Sequence, residues 1–102
     1  MMENRPFKFR LLELFIEQAD WWNYDITRKM QEDYNLPKQY DRDVFNYELL
    51  EMSASGFIVM TDAREDSEGL FRKGTILCKY EVTNIGRAQF KELCGKIKPR
   101  GE

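Results

Sequence analysis

Histidine is absent from this 102-residue sequence, which also has only two cysteines and three prolines. The lack of histidine excludes histidine-activated nucleophiles, histidine metal ligands and most general-base schemes. A glycine-rich phosphate loop and a close cysteine pair are also missing. The abundant carboxylates, such as Glu13 with Glu17 and Glu48 with Glu51, have the spacing of helix-surface charges. We therefore expect no catalytic activity, no metal and no cofactor.

Long hydrophobic runs are absent as well. No apolar stretch approaches the roughly 18 residues that cross a membrane, and Glu3 stands where a signal peptide is apolar. Two cysteines, Cys78 and Cys94, fit reduced thiols better than a disulfide scaffold. We therefore expect a cytoplasmic protein without membrane contact. With 42% hydrophobic and 14% aromatic residues, residues 1–102 fit one domain with a true core.

Charge is distributed unevenly along the chain, whose net charge is −2. Residues 35–68 carry 3 basic and 8 acidic side chains, whereas residues 69–102 carry 8 basic and 3 acidic ones. An acidic surface repels nucleic acid. The acidity of the central block therefore argues partly against a nucleic-acid partner.

The centre of the chain has the pattern of a helix that runs directly into a strand. Phe45, Leu49 and Met52 recur at i, i+4 and i+7, the apolar stripe of an amphipathic helix. Gly56 follows, and glycine commonly ends helices in a left-handed backbone conformation. The next residues, Phe57–Met60, have the length and composition of a strand. This unit organises the prediction for the remaining chain.

Caps and breaks divide the rest of the chain into elements. Asn23, Asp41 and Thr83 are suited to cap helices by accepting hydrogen bonds from free first-turn amides, and Pro37 ends a helix. We predict helices over 6–20, 24–34, 41–55 and 84–97, strands over 57–62 and 75–83, and a wing loop over 63–74. This order predicts a mainly α fold with a small antiparallel β-hairpin (α+β), the winged helix-turn-helix.

Three segments match a known pattern within such folds. Asn23–Met30 is similar to a tyrosine, acid, aliphatic, basic sequence that opens a second helix. The stretch from Phe45 to Ile58 looks like a recognition helix with its exit into the wing, and Lys79–Gly86 looks like a strand-to-helix corner. Together they resemble the PadR-like branch of winged-helix transcriptional regulators. The resemblance implies a regulator that binds double-stranded DNA as a homodimer, through helix 1 and the C-terminal helix.

Candidate DNA contacts surround the third predicted helix. A helix of this size fits the major groove, where residues near its N-terminus meet base edges. Arg42 and Asn46, one turn apart, suit guanine and adenine edges respectively. The other candidates are Arg28, Lys38, Gln39, Tyr40 and Tyr47, to hold phosphates or flank the groove, and Arg64, Arg72 and Lys73, to clamp the backbone or minor groove from the wing. The set supports DNA binding, because a single basic residue is more often an ordinary surface charge.

An alternative is a winged-helix module that binds protein and not DNA. Asp43, Glu48 and Glu51 lie on the same predicted helix, and carboxylates that face a duplex repel its phosphates. The apolar pair Leu70 and Phe71 stands in an otherwise polar wing. This pair either contacts a partner chain or folds back onto the body.

Two apolar features near the N-terminus each have two explanations. The apolar residues of helix 1 cover more of its circumference than one core contact requires. Either part of this face lies against a second subunit, or helix 1 is central to a small core. Trp21 and Trp22 either close the core or, as the resemblance implies, hold a small flat aromatic effector at a dimer interface.

Overall fold

Four helices and a three-stranded antiparallel sheet form the computed structural model, which describes residues 3–96. The elements in chain order are α1 (Phe7–Glu17), β1 (Asp20–Trp22), α2 (Asn23–Tyr34), α3 (Gln39–Ala54), β2 (Ile58–Glu65), β3 (Ile76–Val82) and α4 (Asn84–Cys94). The α+β class is as predicted, and the order is compatible with a winged helix. Helix α4 ends at Cys94 and not at the predicted residue 97, and Ile97 itself lies outside the described residues.

Helix α1 lies at the centre of the core and contacts the other three helices and β3. Five of its apolar residues are at most 2% exposed: Phe9, Leu11, Leu12, Leu14 and Phe15. All of them except Phe9 pack with the inner stripes of α2 and α3 and with Ile58, Tyr80 and Val82 of the sheet, whereas Phe9 stacks on Phe90 of α4. The wide apolar face of helix 1 is therefore covered by its own chain, and a second subunit is not needed to bury it.

Strand β1 was not predicted. The first helix ends at Glu17 and not at residue 20, and Gln18 is already extended, with φ −139°. Asp20–Trp22 then pairs with β3, so that the sheet order is β1-β3-β2. A three-residue strand is too short to show an alternating pattern. The indole N–H of Trp21 donates to the Leu14 carbonyl at 3.0 Å, which fixes this strand against α1.

Of the three predicted caps, one is confirmed and two are wrong. The Thr83 hydroxyl accepts a hydrogen bond from the Gly86 N–H at 3.0 Å and caps α4. Asn23 is the first residue of α2, and its side chain contacts other elements and does not cap. Asp41 lies inside the first turn of α3, which begins two residues earlier at Gln39. A carboxylate in a first turn still stabilises a helix through the helix dipole.

Two glycines are required where α3 and α4 meet the sheet. Gly56 ends the passage from α3 to β2 with φ +82°, the left-handed conformation that its position in the sequence predicted. Gly86 lies against the backbone of Phe57, and a Cβ at this position would be 2.1 Å from the Phe57 carbonyl oxygen. The first turn of α4 can approach the start of β2 only because residue 86 has no side chain.

Strand β2 is an edge strand that extends to Glu65, three residues beyond its predicted end at 62. Its pairing with β3 shifts by one residue between Met60 and Asp62, which marks a bulge. Just after this bulge, the Asp62 side chain accepts a hydrogen bond from the Ala63 N–H at 2.8 Å. The free edge is therefore irregular, and one of its backbone donors is already occupied.

A cluster of charged side chains joins the N-terminal segment to α1 and α2. We call Glu3, Arg5, Arg10, Glu13 and Asp33 the N-terminal charge cluster. Arg10 is 3% exposed, and its Nε donates to Asp33 Oδ2 at 2.7 Å. Arg5 donates to Glu3 at 2.7 Å and to Glu13 at 2.9 Å. Within the cluster each arginine therefore contacts carboxylates.

None of the helices within residues 3–96 has both the length and the apolar character needed to cross a bilayer.

Candidate nucleic-acid interface

Helix α3 presents a row of uncovered side chains on the side away from the core. Phe45, Leu49 and Met52 are at most 2% exposed and hold the helix to the body. On the opposite side, a set that we call the outward stripe follows the helical repeat: Tyr40, Asp43, Tyr47 and Leu50. The tyrosines are 74% and 60% exposed and Leu50 is 50% exposed. This stripe is the part of α3 that is free to contact a partner.

Arg42 does not belong to this exposed surface, so the prediction that it reads guanine is wrong. The residue is 8% exposed. Its Nε donates to the Thr27 hydroxyl at 3.1 Å, and its Nη2 donates to the carbonyls of Tyr24 and Leu70, both at 2.9 Å. The guanidinium also lies 4.7 Å from the centre of the Phe71 ring. Arg42 therefore joins α2, α3 and the loop after β2.

The hydrogen-bond acceptors of Arg42 are a hydroxyl and two carbonyls, which carry no charge that would raise its pKa. Burial lowers the pKa of Arg42, and the nearby positive charge of Arg28 lowers it further. The charges of Asp66, Asp43 and Asp25 act in the opposite direction. An arginine remains charged at neutral pH. A buried positive charge therefore lies under the N-terminal half of α3.

Asn46 is also turned towards its own chain, and its predicted contact with adenine stays a prediction. Its Oδ1 accepts a hydrogen bond from Asn23 Nδ2 at 3.2 Å. The same Asn23 side chain accepts from the Cys78 N–H at 3.1 Å. One amide thus connects α2, α3 and β3. The two residues that seemed best suited to read bases are both used to hold the elements together.

Asp66 organises the connection between β2 and β3, residues 66–75, which we call the wing loop. Its carboxylate is 1% exposed and accepts four backbone N–H groups, all at 2.8 Å, from Gly69, Leu70, Phe71 and Arg72. Burial acts to raise the pKa of Asp66, but these four donors outweigh it, and the pKa lies below the usual 3.8. Asp66 was not among the predicted site residues, although it sets the shape of the loop.

The wing loop folds back onto the body of the protein. Phe71 is 8% exposed and lies under the Arg42 guanidinium. The Leu70 carbonyl accepts from Arg42 at 2.9 Å. Of the two explanations for the Leu70 and Phe71 pair, contact with the body is the one observed. The loop is thereby fixed beside the first turns of α3.

Arg72 links the wing loop to the outward stripe of α3. Its Nη2 lies 2.9 and 2.7 Å from the two carboxylate oxygens of Asp43. Gln39 Nε2 donates to the same carboxylate at 3.1 Å. Burial acts to raise the pKa of Asp43, but the hydrogen bonds from Arg72 and Gln39 lower it overall. Asp43 therefore stays ionised and brings two predicted site residues together.

The remaining predicted residues are exposed around this centre. Arg28 lies on α2, Lys38 precedes α3, and Lys73 lies in the wing loop, all of them open to solvent. Arg64 lies on β2 and not in the loop, with its guanidinium 5.0 Å from the centre of the Trp22 ring. The structure thus places Gln39, Tyr40, Tyr47, Arg72 and the exposed basic side chains around the outward stripe. Arg42 and Asn46 are turned towards the interior.

Glu48 and Glu51 lie on a flank of α3 and not at the centre of the outward stripe. They line an open groove together with Lys8 and Phe57. Glu48 follows Asp43 by five residues, which turns it about 140° around the helix axis. Repulsion between Glu48 and a partner at the outward stripe is therefore weaker than the sequence alone suggested.

The two tryptophans contact their own chain. Trp21 binds the Leu14 carbonyl, which supports the prediction that it packs against the core. Trp22 stacks on Tyr24, with ring centres 6.0 Å apart, and carries Arg64 on its ring. The effector site at these residues stays a prediction.

The sequence did contain a signal for the orientation of Arg42. It precedes Phe45 by three residues and Leu49 by seven, which places it on the buried stripe of α3. The same phase places Asp43 on the outside. No local pattern gives the four contacts of Asp66, because they depend on how the wing loop closes.

The candidate interface thus comprises the outward stripe, the wing loop and the exposed basic side chains on either side. No protein-family model, no curated protein and no solved structure matches this chain. The geometry of the described residues therefore carries the functional argument.

Proposed function

We propose that this protein is a winged helix-turn-helix regulator of transcription that binds duplex DNA in the cytoplasm, as the PadR-like proteins it resembles do. One observation carries the proposal. The outward stripe of α3 is uncovered, and the wing loop holds Arg72 directly beside it. A helix with a free face and a loop that places an arginine beside its N-terminal half is a geometry suited to entering the major groove.

The contacts divide by chemistry. Helix α3 has 16 residues and is about 24 Å long, and it fits a major groove about 12 Å wide. Gln39 and Asp43, in its first turns, meet base edges. Phosphates are held by the hydroxyls of Tyr40 and Tyr47 and by exposed basic side chains. Those side chains are Arg28, Lys38 and Lys73.

Arg42 acts indirectly in this proposal. It fixes the Leu70 carbonyl and the Phe71 ring, and so sets the position of Arg72 relative to α3. Its charge also adds to the positive potential under the helix N-terminus, where the helix dipole is positive as well. Arg42 is therefore a positioning residue and not a base-reading one.

A second copy of the chain belongs to the proposal. Helix α4 exposes Ile85, which is 60% exposed, and half-buried Phe90 and Leu93 lie along the same helix. Phe90 and Leu93 pack against the core of their own chain, so exposed Ile85 is the group of this set around which a homodimer can form, and a dimer doubles the number of DNA contacts. The buried apolar face of α1 takes no part in it.

A protein partner is the second candidate, and a specific observation favours it. Two tyrosines and one leucine form most of the outward stripe, and tyrosine is enriched in protein interfaces. The chain is also acidic overall, with a net charge of −2. A basic, partly apolar protein surface would complement this face.

Titration of labelled random-sequence duplexes, followed by fluorescence anisotropy, separates the two candidates. A protein that makes about four phosphate contacts loses about 100-fold in affinity between 50 and 200 mM salt. Lys73→Ala should weaken binding to all sequences and reduce the salt slope by about 1. Lys91→Ala, on exposed α4, is the matched control and should change neither quantity.

Absence of binding to any duplex at 50 mM salt, by protein shown to be folded by circular dichroism, would overturn the DNA proposal and leave the protein partner. Light scattering of the complex gives the number of copies bound, relative to the chain mass of 12.3 kDa.

A further inference from the structure

The Asp43 and Arg72 pair occupies the centre of the candidate interface. Asp43 is the charged member of the outward stripe, with a tyrosine on either side of it. Arg72 Nη2 contacts its two oxygens at 2.9 and 2.7 Å, although both side chains remain open to solvent, 41% and 50% exposed. An acid at this place would repel DNA if its charge were not balanced, so the role of the pair needs an explanation.

We propose that the Asp43 and Arg72 pair reads a G·C base pair in the major groove. The proposal rests on the proposed function and names the base pair that the interface selects. Guanine offers two acceptors, N7 and O6, and cytosine offers the N4 donor next to them. An arginine beside a carboxylate offers two N–H donors, which match guanine N7 and O6, followed by a carboxylate acceptor, which matches the cytosine N4 donor.

Both members have capacity left for such contacts. Asp43 Oδ2 accepts only from Arg72 among the described residues and keeps a further lone pair, whereas Oδ1 accepts from Arg72 and Gln39. Arg72 carries five N–H donors, and its side-chain hydrogen bonds to the described residues all leave from Nη2. The pair therefore need not separate in order to bind a base pair.

The pair is also held by rigid parts of the structure. Asp43 is part of α3, which is fixed by its buried stripe. The backbone N–H of Arg72 donates to Asp66 at 2.8 Å, and the preceding Phe71 lies against Arg42. A contact with preformed geometry loses less entropy on binding. This distinguishes the pair from a surface ion pair between two freely moving side chains.

An A·T pair fits this row less well. Adenine presents its N6 donor between N7 and the O4 acceptor of thymine, so the second arginine donor would meet another donor. An ionised Asp43 has no hydrogen to offer the thymine oxygen. Discrimination against A·T at this position should be about tenfold, within the range for a good bidentate contact.

Selection from a randomised duplex library, followed by competition titrations, tests the reading role. We expect the wild-type consensus to contain one G·C position that Asp43→Asn changes to A·T, because asparagine pairs with adenine. Arg72→Ala should lose the preference at that same position. Glu51→Gln removes the same charge from an exposed residue on the flank of α3 and should keep the consensus.

The outcomes are distinct. Uniformly tighter binding by Asp43→Asn, equal to that of Glu51→Gln and with an unchanged consensus, would overturn the reading role and leave only a charge effect. A wild-type protein that binds DNA without preferring G·C at any position sensitive to Asp43 would also overturn it, while the proposed function would stand. Failure of every variant to bind any duplex would overturn both proposals.

Discussion

Two of the buried arginines, Arg10 and Arg42, have different surroundings. Arg10 is 3% exposed and contacts Asp33 and Glu13. Arg42 is 8% exposed and contacts a hydroxyl, two carbonyls and the Phe71 ring. Burial lowers the pKa of both, but the carboxylates around Arg10 raise its pKa overall, whereas the pKa of Arg42 stays lowered.

The difference shows how a charge can be buried for two purposes. In the N-terminal charge cluster the positive and negative groups neutralise each other, so the cluster mainly joins α1 and α2. Around Arg42 the carboxylates are used elsewhere: Asp43 binds Arg72, and Asp66 binds backbone N–H groups. Arg42 therefore donates to no carboxylate among the described residues, and its charge adds to the positive potential under the N-terminal half of α3.

The largest effect is expected for Arg10→Met. It removes the buried arginine partner of Asp33 and one of the two arginines that contact Glu13, which should lower the free energy of unfolding by about 3 kcal/mol at pH 7. Urea denaturation measures it. A loss below about 1 kcal/mol, the value of an exposed ion pair, would contradict buried charge pairing as the main role of Arg10.

A smaller loss, about 2 kcal/mol, is expected for Arg42→Met, because one hydroxyl and two carbonyls lose a buried donor. These acceptors are neutral, so the difference from the wild type should stay constant between pH 4 and pH 8. Urea denaturation again gives the value. Arg28→Met, at an exposed position, is the control and should change stability by less than about 0.5 kcal/mol. A strong pH dependence of the loss in Arg42→Met would show that charged groups, as around Arg10, and not neutral acceptors hold Arg42.

The smallest and most local effect is expected for Asp66→Asn. The amide cannot accept all four backbone N–H groups, so the wing loop should loosen while the helical body stays folded. In the wild type, the lowered pKa of Asp66 means that its stabilisation is complete above the usual carboxyl value of 3.8 and is lost as the pH falls through the lower folded value.

Amide chemical shifts of Gly69 to Arg72, followed by NMR during a pH titration, report this change. Glu68→Gln changes an exposed carboxylate in the same loop and should leave those shifts in place. Loss of the whole fold in Asp66→Asn, rather than of the loop, would show that the wing loop is not a separate unit of stability.

Sequence periodicity was sufficient for most of the helical body. The stripe of Phe45, Leu49 and Met52 is buried as predicted, Gly56 has the expected left-handed backbone, and Thr83 caps α4. These features depend on local chemistry, which a sequence displays directly. The position of Arg42 was present in the same pattern, but its charge suggested an exposed role.

The rest depended on contacts between distant parts of the chain. Strand β1 exists because Asp20–Trp22 finds a partner in β3, some sixty residues later. Asn23 does not cap α2, because its side chain reaches Cys78 and Asn46. The pairing of Asp43 with Arg72 spans 29 residues. Such partners become visible only when the fold brings them together.

The irregular edge of β2 has a consequence for the behaviour of concentrated protein. An exposed strand with free backbone groups is a template on which other chains add as further strands, the first step toward fibrils. The bulge after Met60 disturbs the flat surface that such growth needs, and Asp62 already occupies the Ala63 donor. Charges on Arg64 and Glu65 also oppose the addition of a second chain at this strand.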